Sequence, residues 1–198
     1  MLLVDFVLLS IIVGLLRKGS LKKIGEIPIR KLELIFLSLI IRYLPLFLKG
    51  SLKEYVVQYI LVVSFISYGL LLYSLLSNWH LKPLRIVTLG VLLNFLAIIA
   101  NGGKMPVSLL AVDFAGLGDF KQDLFNPLYP YHVAMMPKTR FKIFGDIFPL
   151  PKPYPNPKVF SLGDVLMGIG VFSLIQEAML KKKSASDKIS RRKLKRNL

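Results

Sequence analysis

The sequence predicts an all-α integral membrane protein, with five transmembrane helices and one long, partly structured loop on the extracytoplasmic side. Three observations carry this expectation. Hydrophobic residues make up 54% of the 198-residue chain, and mean hydropathy is +0.59. The apolar residues collect in unbroken blocks, not at the period-2 or period-3.6 spacing of a soluble core. The formal net charge of +16 is gathered beside those blocks, which is how basic residues orient helices in a bilayer. One membrane domain is expected over residues 1–180, followed by a basic cytoplasmic tail over 181–198.

The first span covers residues 1–16. Signal peptides carry positive charge before their apolar stretch; here Asp5 lies near the start, and Arg17 and Lys18 follow the run. That charge order turns the N-terminus outward. The span is short, so Arg17 and Lys18 are expected to snorkel. The second span, 32–48, is interrupted by Arg42 and Pro45. The third, 55–77, holds 23 residues without a charge and is followed by Trp79, an interfacial anchor. The fourth, 84–100, contains Asn94 and stops at Asn101-Gly102-Gly103, where glycine supplies the left-handed conformation of a C-cap. The fifth, 161–180, opens at Ser161-Leu162-Gly163-Asp164 and runs into three lysines.

An odd number of spans puts the chain ends on opposite sides. With the N-terminus outside, the inner segments hold six, two and nine Lys/Arg: residues 17–31, residues 78–85 and the tail. The outer connections hold Lys49 and Lys53 in the short one and seven basic residues in the long one, where Asp113, Asp119, Asp123 and Asp146 offset them. The C-terminus is therefore placed in the cytoplasm and the protein in the cell membrane. Nine basic residues in the tail predict attraction to anionic lipid, and the otherwise polar tail is expected to be disordered. The same clustering argues against nucleic acid as a partner, because no folded basic surface is implied.

There is no cysteine, and His80 and His132 lie in different segments without a partner at ligand spacing. No metal site and no cofactor are expected. The loop over 101–160 is long enough to be structured. Residues 107–112 are too short to span and lie at the interface or re-enter. Pro149, Pro151, Pro153, Pro155 and Pro157 alternate strictly, which favours extended polyproline geometry and a stiff spacer before the last span.

Candidate chemistry lies on the outer side. Asp164 sits at the mouth of the fifth helix, where Ser161 or Asp164 caps free N–H groups. Asp146 stands 18 residues earlier. If the chain doubles back between them, two carboxylates meet at one site and one keeps its proton. Such a pair activates water, or binds a cation; two independent caps are the alternative. Asp5 and Arg42 both fall in the outer half and are expected to form an intramembrane ion pair or to reach the interface separately. Asn94 and Asn101 share a helix face and suit hydrogen bonds between helices.

Asn101-Gly102-Gly103-Lys104-Met105-Pro106-Val107-Ser108, Gly145-Asp146 and Ser161-Leu162-Gly163-Asp164 together resemble a family of bacterial multi-pass membrane proteins known only as a domain of unknown function. A more remote resemblance links Phe144-Gly145-Asp146 and Ser161-Leu162-Gly163-Asp164 to the end of lipoprotein signal peptidase. It implies a catalytic pair in Asp146 and Asp164. That enzyme has two spans between its Asn-x-Gly stretch and its aspartates, and none is expected here. The preferred expectation is a non-catalytic membrane component that binds a small ligand, ion or partner protein outside. Its site is expected at Asn101, Gly102, Gly103, Met105, Pro106, Ser108, Asp146, Ser161, Gly163 and Asp164. An aspartyl membrane peptidase is the alternative and a small oligomeric transporter the third. The expected partners are the lipid bilayer and either another membrane protein or further copies of the chain.

Overall fold

The computed structural model describes residues 2–181; the basic tail beyond Lys181, with its expected disorder, lies outside the described residues. Five helices form the body: α1 (Leu2–Leu16), α2 (Leu32–Phe47), α4 (Ile60–Ser77), α5 (Lys82–Ala100) and α8 (Leu162–Leu180). A short α3 (Gly50–Gln58) precedes α4. The expected run over 55–77 is therefore not one helix. The chain breaks at Tyr59, whose ψ of 23° leaves the helical region and lets α3 turn away. Three helices are long and apolar enough to cross a membrane, namely α4, α5 and α8; α1 is apolar but has only 15 residues.

The chain is mostly helical without being purely so. The loop contributes β1 (Met105–Val107), α6 (Leu109–Phe114), α7 (Phe120–Phe125), β2 (His132–Ala134), β3 (Phe148–Leu150) and β4 (Lys158–Phe160). β1 pairs in parallel with β2, and β3 pairs antiparallel with β4. The alternating prolines thus form a hairpin and not a straight spacer. Pro149 lies opposite Val159 within the ladder, and the segment turns through a cis Lys152–Pro153 bond. An edge strand tolerates proline where its missing N–H faces away from the partner. Residues 107–112 are shared between two elements: Val107 closes β1, and Ser108 caps α6 by accepting from the Ala111 N–H at 3.3 Å.

Spatial order differs from chain order. The helices pack as a row, α1 on α8, α8 on α5, α5 on α4 and α4 on α2, while α1 and α2 share no packed face. Close approach of α5 and α8 depends on glycine. A Cβ at Gly90 would fall 2.9 Å from the Met167 nitrogen, and one at Gly163 would fall 2.6 Å from the Gly90 carbonyl. Around this contact Leu75, Leu84, Val87 and Val91 form a core with Tyr68, Met167 and Val171 packed on it.

Many of the other buried helix positions are small or polar, beside buried Ile60, Ile98, Ile175 and Met179. Ser10, Ser38, Ser64, Ser67, Ser74, Thr88, Asn94 and Gln176 are all buried. Phe36, Ile40, Leu61, Val62, Phe65, Ile66, Leu8 and Ile12 are exposed. Ser38, Ser67 and Thr88 bond to carbonyls of their own helices, whereas Ser10, Asn94 and Gln176 bond between helices. Ser10 donates to the Phe172 carbonyl at 3.0 Å, and Gln176 Nε2 donates to the Ser10 carbonyl at 2.5 Å. At the far end Lys23 donates to the carbonyls of Met179 and Lys181, satisfying the last turn of α8.

Candidate functional site

The fourth apolar helix ends as its sequence requires. Gly102 and Gly103 adopt φ of 71° and 86°, and the Gly103 N–H donates to the Ile98 carbonyl at 2.9 Å. Gly103 is also held by space, because a Cβ there would lie 2.7 Å from the Leu61 backbone. Asn101 ties this corner to the loop, donating to the Arg140 carbonyl at 2.9 Å and accepting from the Arg140 N–H at 3.0 Å. The turn sends β1 back over the helix ends. There the Asp146 N–H donates to the Pro106 carbonyl and the Ser108 N–H to the Asp146 carbonyl, each at 2.9 Å. The loop is thereby a roof, with its own core of Val107, Val112, Leu124 and Ala134.

Beneath the roof lies a cavity of about 470 Å³. All five body helices contribute: Leu2 and Leu3 from α1, Ser38, Leu39, Arg42 and Tyr43 from α2, Ser67 and Tyr68 from α4, Asn94 from α5, and Asp164 from α8. Met105, Tyr131, His132, Asp146 and Lys158 line it from the roof.

Asp146 and Asp164 therefore face one cavity, and the hairpin is what doubles the chain back between them. Their situations differ. Asp164 is the acidic half of a capping box: Ser161 Oγ accepts from the Asp164 N–H, and Asp164 Oδ2 accepts from the Ser161 N–H, both at 3.0 Å. Its Oδ1 accepts from Asn94 Nδ2 at 3.1 Å, while Ser161 Oγ donates to Asn94 Oδ1 at 2.8 Å. Asp146 is 6% exposed, and His132 Nε2 stands 3.6 Å from its Oδ2. Burial, with the Asp164 charge adding to it, holds the Asp146 carboxyl well above the usual range, so it keeps its proton.

His132 is neutral for the same first reason. Burial, then the Arg42 charge, pushes its pKa down to about 4. Its ring stacks on Tyr129, with centroids 5.8 Å apart. Its Nδ1 is buried and meets no hydrogen-bond partner among the described residues. Such an orphan costs about 1–3 kcal/mol and calls for a reason. Burial likewise raises Tyr131 to about 12.

The expected Asp5–Arg42 pair does not form. Asp5 meets Lys158 at 2.5 Å, which ties α1 to the roof. Arg42 Nη1 donates to Ser64 Oγ at 2.6 Å and to the Gly103 carbonyl at 3.5 Å. Its guanidinium lies 5.1 Å from the Tyr131 ring centre and 5.8 Å from that of Tyr68. No carboxylate lies within ion-pair distance of Arg42 among the described residues. The physical reason is reach: the β4 strand brings a closer cation to Asp5 than α2, at the other end of the row, can offer.

Of the ten residues expected at the site, Met105, Asp146 and Asp164 line the cavity. Asn101, Gly102, Gly103, Pro106, Ser108, Ser161 and Gly163 build its frame through the caps, turns and close contacts above. Sequence reasoning missed Tyr43, Tyr68, Tyr131, His132 and Lys158. Only Arg42, a charge inside an apolar run, carried a signal of its own. Asn94 bonds across helices as its position implied, whereas Asn101 bonds to the loop.

Among the described residues no cluster of three or more His, Asp or Glu suits a metal ion. The arrangement is thus a helical body, three of whose helices can cross a membrane, around a roofed cavity with polar groups on an apolar wall. The chain belongs to the family of unknown function DUF5317, whose pattern matches residues 26–176. It is similar to an uncharacterized protein of Thermotoga maritima, 26% identical over 176 residues, covering 86% of this chain and 88% of that one. No solved structure matches. Neither likeness supports the partial resemblance to lipoprotein signal peptidase.

Proposed function

We propose that the protein is a five-span component of the cell membrane whose outward-facing cavity binds a small ligand. Two features support the membrane setting. Large apolar side chains face outward along the body helices while serine, asparagine and glutamine are buried, the reverse of a soluble bundle and the pattern by which helices associate in lipid. The apolar lengths of α4, α5 and α8 are sufficient to cross, and α1 and α2 complete five spans if short helices are matched by local thinning. The basic segment over 17–31 and the tail then face the cytoplasm, and the roofed cavity faces out.

The observation that carries the binding reading is the cavity itself, where Arg42, Tyr131, His132, Asp146 and Asp164 converge from elements far apart in the chain. Few polar groups placed on an apolar wall give a ligand site its orientation and specificity. The test uses the absence of native cysteine. A single cysteine replacing Met105 should react with a small impermeant thiol reagent added to intact cells. Reaction only after permeabilisation would invert the topology. No reaction even in folded, detergent-solubilised protein would mean a closed packing space and would end the ligand reading.

A second reading, an aspartyl membrane peptidase, draws on the shared cavity and on the proton held by Asp146. It is disfavoured by Asp164, both of whose oxygens are engaged by its own helix cap and by Asn94. Membrane proteins from cells carrying the intact pair or Asp146→Asn would be compared for altered N-termini. A changed N-terminus that depends on Asp146 would favour hydrolysis.

A further inference from the structure

The row of helices has two ends, and the cavity lies between them. Leu2 and Leu3 of α1 stand on one side of the gap, and Ser38, Leu39, Arg42 and Tyr43 of α2 on the other. α1 and α2 share no packed face, so the body is a horseshoe whose opening looks sideways and not along the helix axes. Outside the gap α2 carries an apolar recess lined by Leu39, Ile40, Tyr43, Leu44 and Phe47. Leu39 and Tyr43 belong to both the recess and the cavity. The polar interior and an apolar outer surface are therefore joined along one face of α2.

The charge inside is asymmetric. Both oxygens of Asp164 are occupied, one by the Ser161 N–H and one by Asn94 Nδ2, at a helix start whose dipole favours a carboxylate. Lys158 and Asp5 satisfy each other. Among the described residues Arg42 bonds to neutral groups, the Ser64 hydroxyl and the Gly103 carbonyl, with the rings of Tyr131 and Tyr68 beside it. A guanidinium so placed favours a carboxylate or phosphate, which it can meet with two parallel hydrogen bonds.

We propose that the ligand is an anionic amphiphile from the outer leaflet, which enters between α1 and α2, sets its acidic head on Arg42 and leaves its chain against the apolar face of α2. This rests on the ligand-binding reading above and names its ligand class. The sideways gap lets the head leave the interface without the chain leaving lipid, so no apolar surface passes through water. The roof lies over the cavity, and the Asp5–Lys158 pair holds α1 to it.

The test uses the full chain in lipid nanodiscs with a photoactivatable phosphatidylglycerol, and with the matching phosphatidylcholine for comparison. Phosphatidylglycerol should form adducts within residues 2–3 and 38–43, and phosphatidylcholine should not. Arg42→Gln should reduce the cavity adducts about tenfold or more, as expected when a buried charge partner is lost. Arg42→Lys should retain part of them. Tail adducts verify contact with anionic lipid, and an unchanged thermal unfolding transition in detergent verifies that each variant is folded. Leu39→Trp, which narrows the gap and leaves Arg42 in place, should also reduce cavity adducts. Equal cavity labelling by both lipids would overturn the acidic-head assignment while leaving a lipid-binding cavity. Displacement of the cavity adducts by millimolar glycerol phosphate would assign the site to a soluble anion and overturn the amphiphile. Tail labelling without cavity labelling would overturn the proposal even where the Met105 cysteine reports an open cavity.

Discussion

Asp146 shows how one side chain can be placed by backbone and tuned by its surroundings. Its N–H donates to the Pro106 carbonyl and its carbonyl accepts from the Ser108 N–H, which fixes the backbone that brings the carboxyl to the cavity. Its proton is bound more tightly in the folded state than at the ordinary value of 3.8. The unfolded chain releases that proton above 3.8 and the folded chain does not. The contribution of Asp146 is thus most favourable below pH 3.8 and is lost as pH rises toward the raised folded value. Asp146→Asn should be tolerated and should flatten that part of the stability profile. Infrared difference spectroscopy at neutral pH should show a protonated carboxyl in the native chain and lose it in Asp146→Asn. Asp164→Asn should lower the Asp146 pKa only partway, because burial is the larger cause. A full return to ordinary carboxylate behaviour would refute that ranking. The sequence marked this residue by its Gly-Asp pattern and by the possibility of return. It gave no sign of His132, whose role arises from the register that pairs Met105 with His132 across β1 and β2.

At the level of elements, what was legible followed local rules. The Gly-Gly stop after the fourth apolar run and the Ser161–Asp164 cap depend on neighbouring residues alone, and both occur where the sequence implied. The break at Tyr59 and the proline hairpin depend on partners distant in sequence. Tyr59 interrupts an apolar run without a proline or glycine, and Pro149 enters a ladder because Val159 is brought opposite. Helix contact offers a direct comparison. Gly163→Ala drives a methyl into the Asn94 side chain and toward the Gly90 carbonyl, and should cost about 1–3 kcal/mol by overpacking. Gly69→Ala meets open space on α4 and should be neutral or stabilising by up to about 1 kcal/mol. Thermal unfolding in detergent reads both. Equal effects would show that the α5–α8 contact does not rely on the missing side chain.

For the molecule as a whole, apolar runs located the body helices, because hydropathy is carried along the chain, but they did not show the break at Tyr59 that shortens the third run. Their order in space was not legible: nothing in α1 says that its neighbour is α8 and not α2. The ion pair expected between Asp5 and Arg42 failed for that reason, since it assumed neighbours that stand at opposite ends of the row. Topology remains testable without that knowledge. Single cysteines at Ser51 and Gln122 should react with an impermeant reagent in intact cells, and one at Gly25 only after permeabilisation. Labelling of Gly25 in intact cells would overturn the orientation derived from the basic clusters.

The packing of α1 on α8 also sets a timetable for biosynthesis. Between Leu16 and Leu162 lie 145 residues, which at about 5–20 residues per second take roughly 7–30 s to synthesise. During that interval α2, α4 and α5 can find one another, but α1 has no neighbour, and the Ser10 groups that later meet Phe172 and Gln176 have none either. Helix α1 must be held by the insertion machinery or by lipid until α8 is released. Chains stalled before residue 162 should leave a photocrosslinker at Gly14 joined to that machinery. Chains extended past residue 181 should transfer the crosslink to Met179, whose side chain lies against Gly14 in the finished protein. Early transfer to α2, α4 or α5 would mean that the horseshoe is reached by rearrangement and not by waiting.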